Sequence, residues 1–345
     1  MCSFNPMFKA ATIKDIALAL SLSTSTVSRA LSNSHEVSAE TREKVLAYAS
    51  KIKYRYNPIA QSLKMRKSLS IGVMVADVAN SFFSQTINGI ESVAYENGYH
   101  VIITQSHDQY EREVLNLDHL ASRSVDGILI SMSAQTQDYN HIIALHEQGL
   151  PIVFFDRILE EVETSKVTTN NYKAAFDATT LLIGKGYHKI AHIANAPQLS
   201  ITIERLEGYK KALQSAGITY DESLVRFCLK GGKDQKEVDE AINYLASLSP
   251  GPDALFISSD RICTNGLRSL NNFSGAKNFV ILGFSNSDII DLLSPRISYV
   301  RQKAFEMGEI AIQMLLKMIE SKYPVYEFET RRLDAEIYWH DPEKQ

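Results

Sequence analysis

The segment that decides the fold of the first part of the chain is residues 12–31, TIKDIALALSLSTSTVSRAL. Thr12 and Ser23 each precede a short run of residues with helical spacing of apolar positions. A hydroxyl side chain at such a place accepts a hydrogen bond from a free backbone amide of the first helical turn. Asp15 stands three residues after Thr12, where its carboxylate can bond back to the cap residue. The segment therefore predicts two short helices joined by a tight turn.

The side chains of these two helices separate into an apolar and a polar set. The apolar set, which falls on facing sides, is Ile13, Ile16, Ala17, Leu20, Leu22, Val27, Ala30 and Leu31. The polar set, at the start and on the outside of the second helix, is Ser23, Thr24, Ser25, Thr26, Ser28 and Arg29. Hydroxyls bind phosphates, and a guanidinium can bond to both acceptors of guanine in the major groove. The pattern favours a helix-turn-helix that binds DNA; the alternative is a capped helical hairpin in an unrelated domain.

The residues that follow favour the DNA-binding interpretation. A third helix is predicted from Ser38 to Ala49, with Val45, Leu46 and Ala49 closing a three-helix core. Residues 54–68 then read YRYNPIAQSLKMRKS. With TIKDIA, TVSR and YxxNPxAxSL in this order and spacing, the chain resembles the lac/galactose repressor family of bacterial transcription regulators.

The resemblance implies a division of the chain and a set of DNA contacts. It places a helix-turn-helix domain at residues 1–56 and a hinge at residues 57–69, which folds into a helix on the operator and wedges Leu63 into the minor groove. The other DNA-binding residues that it implies, besides the polar set above, are Thr12, Tyr54, Asn57, Ala60 and Lys64. Residues 70–345 remain as an effector-binding core.

Charge follows the same division. Residues 1–68 hold 11 Lys and Arg against 4 Asp and Glu, whereas the other 277 residues hold 25 against 36. A basic segment that coincides with the helix-turn-helix is typical of a module that binds a polyanion. The remaining acidic part is typical of a soluble sensor.

Composition sets the broad class. The chain has 345 residues, 45% hydrophobic and 22% charged, which is ordinary for a globular protein of two or three lobes. Cys2, Cys228 and Cys263 have neither pairing nor metal-ligand spacing, which predicts reduced thiols and no metal site. The beginning of the sequence lacks a signal pattern and no apolar run approaches the roughly 18 residues of a membrane span. We therefore expect a cytoplasmic protein with no membrane partner.

Beyond residue 69, β-rich runs alternate with helical stretches, which predicts parallel sheets with crossover helices. The predicted strands are 70–76, 99–104, 127–131, 151–155, 189–194, 254–258 and 279–283. The predicted helices include 81–97, 110–122, 172–185, 203–215 and 233–245. The fold class is thus an all-α head followed by an α/β core of two doubly wound parallel-sheet subdomains.

The family resemblance further implies a periplasmic-binding-protein-like core whose chain passes between subdomains three times. It places the crossings near Thr169, Ser298 and Phe328. Subdomain 1 would then hold residues 70–169 and 299–328, and subdomain 2 residues 170–298 and 329–345.

An enzyme is not favoured. Gly184-Lys185-Gly186 lacks the third glycine of a dinucleotide-binding loop, and Gly283-Phe284-Ser285 is not followed by the second glycine of a nucleophile elbow. We find no catalytic constellation and expect no cofactor.

The resemblance instead implies an effector cleft at the carboxyl ends of the strands. Its residues would be Ser81, Phe82, Phe83, Asp156, Arg157, Arg205, Lys230, Ser259, Asp260 and Ser285. Arg205 opens the motif Arg-x-x-Gly-Tyr and is the strongest candidate. Ser259 and Ser285 replace the usual Asn and Asp, and Lys230 adds a cation, which favours an acidic or phosphorylated sugar; a neutral sugar remains open.

The implied working unit is a homodimer, or a tetramer, that represses transcription from a pseudo-palindromic operator under control of the effector. A solute-binding protein of a transporter is the competing class, but it requires a secretion signal and no basic head. An activator, or a regulator released by a protein partner, has the same sequence features.

Overall fold

The computed structural model describes residues 11–32, 34–54, 67–271, 279–292 and 297–341. Its internal contacts divide the chain into two units between Ser68 and Leu69. We refer to the first unit as the head and to the second as the core.

The described part of the head contains three helices. They are α1 Ile13–Leu20, α2 Thr24–Leu31 and α3 Ala39–Lys51. Thr12 and Ser23 cap α1 and α2 as expected, Ser38 caps α3, and Asp15 completes a capping box with Thr12. The apolar faces meet in one small cluster of buried side chains. The expectation for Leu46 was wrong, because its side chain lies on the outer face of α3 and is 48% exposed.

The core contains two sheets with helices packed on them. The strands are β1 Ser70–Val75, β2 His100–Gln105, β3 Gly127–Ile130, β4 Ile152–Phe155, β5 Lys166–Thr169, β6 Ile190–Ala194, β7 Val225–Phe227, β8 Ala254–Ile257, β9 Val280–Phe284, β10 Ser298–Arg301, β11 Thr330–Leu333 and β12 Glu336–Tyr338. The helices are α4 Ser81–Glu96, α5 Tyr110–Ser122, α6 Asn140–Glu147, α7 Asn171–Gly184, α8 Ser200–Ser215, α9 Gln235–Ser247, α10 Asp260–Asn271 and α11 Ala304–Glu320.

Each sheet forms the centre of one lobe. The first sheet has the order β11-β5-β4-β3-β1-β2 with parallel pairing throughout. The second has the order β12-β10-β9-β8-β6-β7, in which β12 pairs antiparallel with β10 and the other pairs are parallel. The fully buried strands read as apolar runs, as strands covered by helices on both faces do.

The chain passes between the lobes at three places. The first passage lies between Thr169 at the end of β5 and Asn171 at the start of α7. The second follows β10, which still belongs to the second sheet, so the expectation near Ser298 was a few residues early. The third follows β11, which pairs with β5, so the expectation near Phe328 was also a few residues early. Short strands at a lobe boundary carry too little hydrophobic pattern to be assigned to a sheet.

In each lobe, two helices cross with their backbones in contact because a glycine lies at the crossing. A Cβ atom on Gly89 of α4 would stand 2.1 Å from the carbonyl oxygen of Phe305 in α11. A Cβ atom on Gly208 of α8 would stand 2.3 Å from the carbonyl oxygen of Tyr172 in α7. Gly208 therefore sets the distance between the two helices that begin beside the passage between the lobes.

Substitution of Gly208 tests this contact. In Gly208→Ala the added methyl meets a backbone atom that cannot rotate away, so α7 and α8 must separate. We expect the free energy of unfolding to fall by about 1–3 kcal/mol or more, the range for overpacked interiors. The measurement is urea denaturation followed by circular dichroism.

Gly184, the last residue of α7, is the matched control. A Cβ atom there has no neighbour within 4 Å. Since alanine favours helix over glycine, Gly184→Ala should leave stability unchanged or raise it by up to about 1 kcal/mol. Equal losses in the two variants would contradict the role of the crossing.

Candidate functional site

The start of α2 presents a group of hydroxyls. The Ser23 oxygen accepts from the amide of Thr26 at 3.0 Å and lies 2.8 Å from the hydroxyl oxygens of both Ser25 and Thr26. Thr24 and Ser25 are exposed, whereas Thr26 and Ser28 are half-buried. Ser23 thus acts as the helix cap, and its neighbours leave hydroxyls on the surface at the positive end of the helix dipole, where phosphates bind.

Arg29 lies in the last turn of α2 and its side chain is 54% exposed. Its Nε atom is 3.0 Å from a carboxylate oxygen of Glu36. An exposed pair of this kind contributes about 0–1 kcal/mol. A base that offers two acceptors can therefore replace Glu36 at small cost.

The other expected DNA-binding residues divide between the described and undescribed parts of the chain. Tyr54 is half-buried and packs against the hydrophobic cluster of the head. Thr12 is exposed and its hydroxyl bonds to Asp15 at 2.8 Å. Asn57, Ala60, Leu63 and Lys64 lie outside the described residues.

In the core, loops at the carboxyl ends of both sheets face each other and form a cleft between the lobes. Arg205, on α8 of the second lobe, is 3% exposed. Its Nε donates to the side-chain oxygen of Asn171 at 2.8 Å and its Nη1 to the carbonyl of Ser258 at 2.7 Å. The guanidinium stacks 3.8 Å from the ring centre of Phe284. Among the described residues, its Nη2 has no hydrogen-bond partner.

Asp156 is an acid of the first lobe whose charge interacts with that of Arg205. It follows β4 and is 4% exposed, and burial raises the pKa of its carboxyl against the opposing charges of Arg157 and Arg205. Burial in turn lowers the pKa of Arg205 to about 10, against the opposing charge of Asp156, so its side chain stays charged at neutral pH. Asp156 also has a left-handed backbone, with φ of 58°. Non-glycine residues in this conformation are concentrated at functional sites.

Two further acids of the first lobe form ion pairs with cations of the second lobe. Asp77, after β1, accepts from Arg261, and Asp108, after β2, has a carboxylate oxygen 3.1 Å from Nζ of Lys233. Asp108 also accepts from Arg157 of its own lobe. Burial opposes the charge on both acids, but these cations outweigh it and lower the pKa of each.

Lys230 is not a cleft residue, so the expectation for it was wrong. Its side chain is 68% exposed and its Nζ lies 3.0 Å from Asp234 on the surface. Gly231 and Gly232 have φ of 61° and 77°, and this left-handed turn directs the next residue, Lys233, into the cleft instead. The Gly-Gly pair in the sequence is the signal that could have indicated this turn.

Ser285 and Asp260 lie together. The Ser285 hydroxyl donates to a carboxylate oxygen of Asp260 at 2.9 Å, and the amide of Asn286 bonds to the same oxygen at 3.3 Å. Ser285 therefore acts as a donor to Asp260, the carboxylate that the sequence analysis already placed in the cleft.

The two aromatic residues after β1, Phe82 and Phe83, differ in their relation to the cleft. Phe82 and Phe83 are 5% and 4% exposed and belong to the core of the first lobe. Phe83 also has Arg157 above its ring at 5.8 Å and lines the small cavity between the lobes, whereas Phe82 lines neither that cavity nor the groove beside it. Sequence reasoning could not separate these two adjacent residues, because both faces of the start of α4 are covered.

Two of the cavities between the lobes lie beside the cross-lobe ion pairs. A small, partly open cavity of about 30 Å³ is lined by Ala76, Asp77, Asn80, Phe83, Asp108, Arg157, Asn195, Gly231, Lys233, Ser259 and Arg261. A groove of about 470 Å³ is lined by Asp77, Ala79, Asn80, Ser81, His107, Gly232, Lys233, Asp260, Arg261, Thr264, Asn265 and Ser287. Thus Arg157 and Ser259 border the small cavity, and Ser81 and Asp260 border the groove.

Residues that the sequence analysis missed dominate this arrangement. They are Asp77, Asp108, Lys233, Arg261 and Gln302, whose side chain donates to Thr169 at 2.8 Å beside the first passage between the lobes. Asp77 and Asp108 lie in the loops that follow β1 and β2, so their position at the carboxyl ends was a usable signal.

Comparison with known proteins agrees with this architecture. Residues 12–57 match the family model of bacterial regulatory proteins of the lacI family. Residues 68–315 match the model of periplasmic binding proteins and the sugar-binding domain of the LacI family. The chain belongs to the LacI family. It is a helix-turn-helix transcriptional repressor with a ligand-binding core.

Individual relatives span nearly the whole chain. The repressor CytR of Escherichia coli K12 is 32% identical over 319 residues, 91% of each protein. The repressor PurR of Vibrio atlanticus is 30% identical over 315 residues, 90% of this chain and 93% of that one. The structure of the regulator CelR in complex with cellobiose is 26% identical, covers 95% of this chain and 98% of its own, and has a TM-score of 0.69.

In the described part of this LacI-family chain, no helix combines the length and the apolar character that crossing a membrane requires.

His192 on β6 provides a pH test of the second lobe. Its ring is fully buried between Tyr209 and Phe256, and burial lowers its pKa from 6.5 to about 4. The unfolded chain therefore binds a proton below pH 6.5 that the folded chain accepts only near pH 4. As pH falls across this window, the protein should lose up to roughly 3 kcal/mol of stability through this residue.

The comparison is between the wild type and His192→Phe, which keeps a stacked ring but cannot titrate. Urea denaturation of both proteins at pH 7, 5.5 and 4.5 gives the difference in stability. Other titrating groups are common to both, so the wild type should lose more stability than the variant toward pH 4.5. Parallel pH dependences would contradict a buried neutral His192.

Proposed function

We propose that this repressor binds a small polyhydroxylated effector in the cleft and transmits its binding to the DNA-binding head. The observation that carries the proposal is Arg205, a buried cation fixed by Asn171, Ser258 and Phe284 with Nη2 left for a ligand. The loops that border it come from the carboxyl ends of both sheets, where ligands of such folds bind. The complex of the relative CelR with cellobiose supports a sugar as the class of effector.

The charges of the cleft favour a neutral effector over the acidic one suggested by the sequence. The cations Arg157, Arg205, Lys233 and Arg261 are balanced by the acids Asp77, Asp108, Asp156 and Asp260. A hydroxyl both donates to a carboxylate and accepts from a cation, so it satisfies both members of such a pair. An anionic group satisfies only the cation and is repelled by the acid.

The working unit that we propose is a homodimer. The edge strands β2 and β7 lie at the ends of the two sheets away from the strands that connect the lobes. Both edges expose apolar side chains, including Ile103 at 43% and Phe227 at 37%. A second copy would cover them, and two heads would read a pseudo-palindromic operator in the cytoplasm. A coupling of about 1–3 kcal/mol between cleft and head is typical of such regulation.

Arg205 is the residue to test in the cleft. Calorimetric titration of the full chain with neutral sugars, nucleosides and their phosphates identifies the preferred ligand. Arg205→Lys keeps the charge but loses the forked donors, so affinity should fall by about 1.5–3 kcal/mol, roughly ten- to 150-fold.

Lys230→Ala is the control, since this lysine lies on the surface outside the cleft. It should bind the same ligand with unchanged affinity. A preference for the phosphorylated member of each pair, or an equal loss in Lys230→Ala, would refute the neutral effector and this site.

Arg29 is the residue to test in the head. Because α2 exposes it beside hydroxyls that bind phosphates, Arg29→Ala should weaken operator binding by about 1–3 kcal/mol and relax the preference at one base pair of each half-site. Selection of binding sites from random DNA measures this preference and shows whether two inverted half-sites are recovered.

Lys44→Ala removes the same charge from α3, where Lys44 is exposed and pairs with Glu40. This control should retain the base preference of the wild type. If Arg29→Ala also retains it, Arg29 does not read a base.

A further inference from the structure

The two cross-lobe ion pairs have a common arrangement. Each has its carboxylate on a loop of the first lobe and its cation on the second lobe: Asp77 with Arg261, and Asp108 with Lys233. Arg261 is the second residue of α10, and Lys233 lies just before α9. Opening of the cleft would separate both pairs.

These pairs are shielded from solvent. The side chains of Asp108 and Lys233 are 14% and 26% exposed, and those of Asp77 and Arg261 are 17% and 24% exposed. Shielded pairs are screened less by salt than surface pairs such as Lys230 with Asp234. Opposite charges attract more strongly in such a shielded place than in water, and this attraction is lost when the lobes separate. Each pair therefore favours the closed arrangement.

A third contact acts in the same direction. The side-chain amides of Gln85 on α4 and Asn286 after β9 bond between the lobes, with Asn286 Nδ2 donating to Gln85 Oε1 at 2.9 Å. Gln85 Nε2 donates in return to the carbonyl of Asn286 at 2.9 Å. The cleft is thus held by polar contacts of matched donors and acceptors.

The space behind the pairs is too small for a sugar. The small cavity that Arg157 and Ser259 border has about 30 Å³, room for one or two waters. Arg205 and Asp156 line neither this cavity nor the groove. Arg205 is also 3% exposed, so a ligand of several heavy atoms reaches it only when the lobes separate.

We propose that Asp77, Asp108, Lys233 and Arg261 form an internal latch, which closes the cleft in the ligand-free chain and which the effector must break. The part of this proposal that concerns the effector rests on the proposed function, whereas closure is a property of the chain alone. The latch also determines specificity, since the ligand has to satisfy a carboxylate and a cation at once when it replaces a pair.

The distance between the lobes in the absence of ligand tests the latch. Nitroxide labels are placed at Asn88→Cys on α4 and Arg268→Cys on α10, both exposed positions. Cys2 is replaced by Ser, and Cys228 and Cys263 are buried and unreactive. Pulsed electron resonance on the full chain, diluted with unlabelled protein, then gives the distance within one protomer.

We expect one narrow distance distribution for the latched chain. Lys233→Gln with Arg261→Gln should shift it by several ångströms to longer distances. The charge exchange Asp77→Arg with Arg261→Asp, in otherwise unchanged protein, should keep the short distance. Lys230→Gln, a surface lysine on the same loop, should leave the distribution as in the parent.

Identical distributions in the parent and in the Lys233→Gln, Arg261→Gln chain would overturn the latch, provided that circular dichroism shows both to be folded. The latch would also be overturned if the Asp77→Arg, Arg261→Asp chain showed distances as long as those of the Lys233→Gln, Arg261→Gln chain. Because no ligand or DNA is present, these outcomes do not depend on whether the cleft binds the proposed effector, which the titrations of Arg205→Lys decide separately.

Discussion

The backbone contact between α7 and α8 at Gly208 is the constraint on which the cleft depends. It places Arg205, one helical turn earlier on α8, beside Asn171 at the start of α7. Tyr209 follows the glycine and anchors the helix to the second sheet through its hydroxyl, which donates to the carbonyl of Ile190 at 2.7 Å. The motif Arg-x-x-Gly-Tyr therefore has one physical meaning: a close crossing, an anchor, and a cation held at the passage between the lobes.

The electrostatics of the cleft follow from burial. An isolated buried charge is expensive, so Arg157, Lys233 and Arg261 each pair with an acid, whereas the guanidinium of Arg205 is held by neutral acceptors and an aromatic ring. The left-handed backbone of Asp108 and Asp156, with φ of 63° and 58°, turns two strand ends so that their carboxylates enter the cleft. Backbone strain at these two residues is offset by the ion pairs and hydrogen bonds that they make.

The sequence predicted the head and the buried central strands better than it predicted the cleft. Capping hydroxyls such as Ser23 and apolar spacing are local signals, and the structure confirms both. The buried central strands are also local signals. The short strands β10 and β11 are not, because their sheet is decided by distant partners. Lys230 and Lys233 are close in sequence, and only the backbone turn at the two glycines between them determines which one enters the cleft.

Two kinds of polar group in the cleft thus have different roles. Arg205 is fixed by its own lobe through Asn171, Ser258 and Phe284, so its position is largely independent of closure. Lys233 and Arg261 have their acid partners on the opposite lobe, so the distance to each partner increases when the cleft opens. A ligand that bonds to Arg205 alone would bind open and closed states alike and shift nothing. In the mechanism that we propose, an effector that changes DNA binding must therefore also interact with the cross-lobe residues, because their contacts differ between the open and closed states.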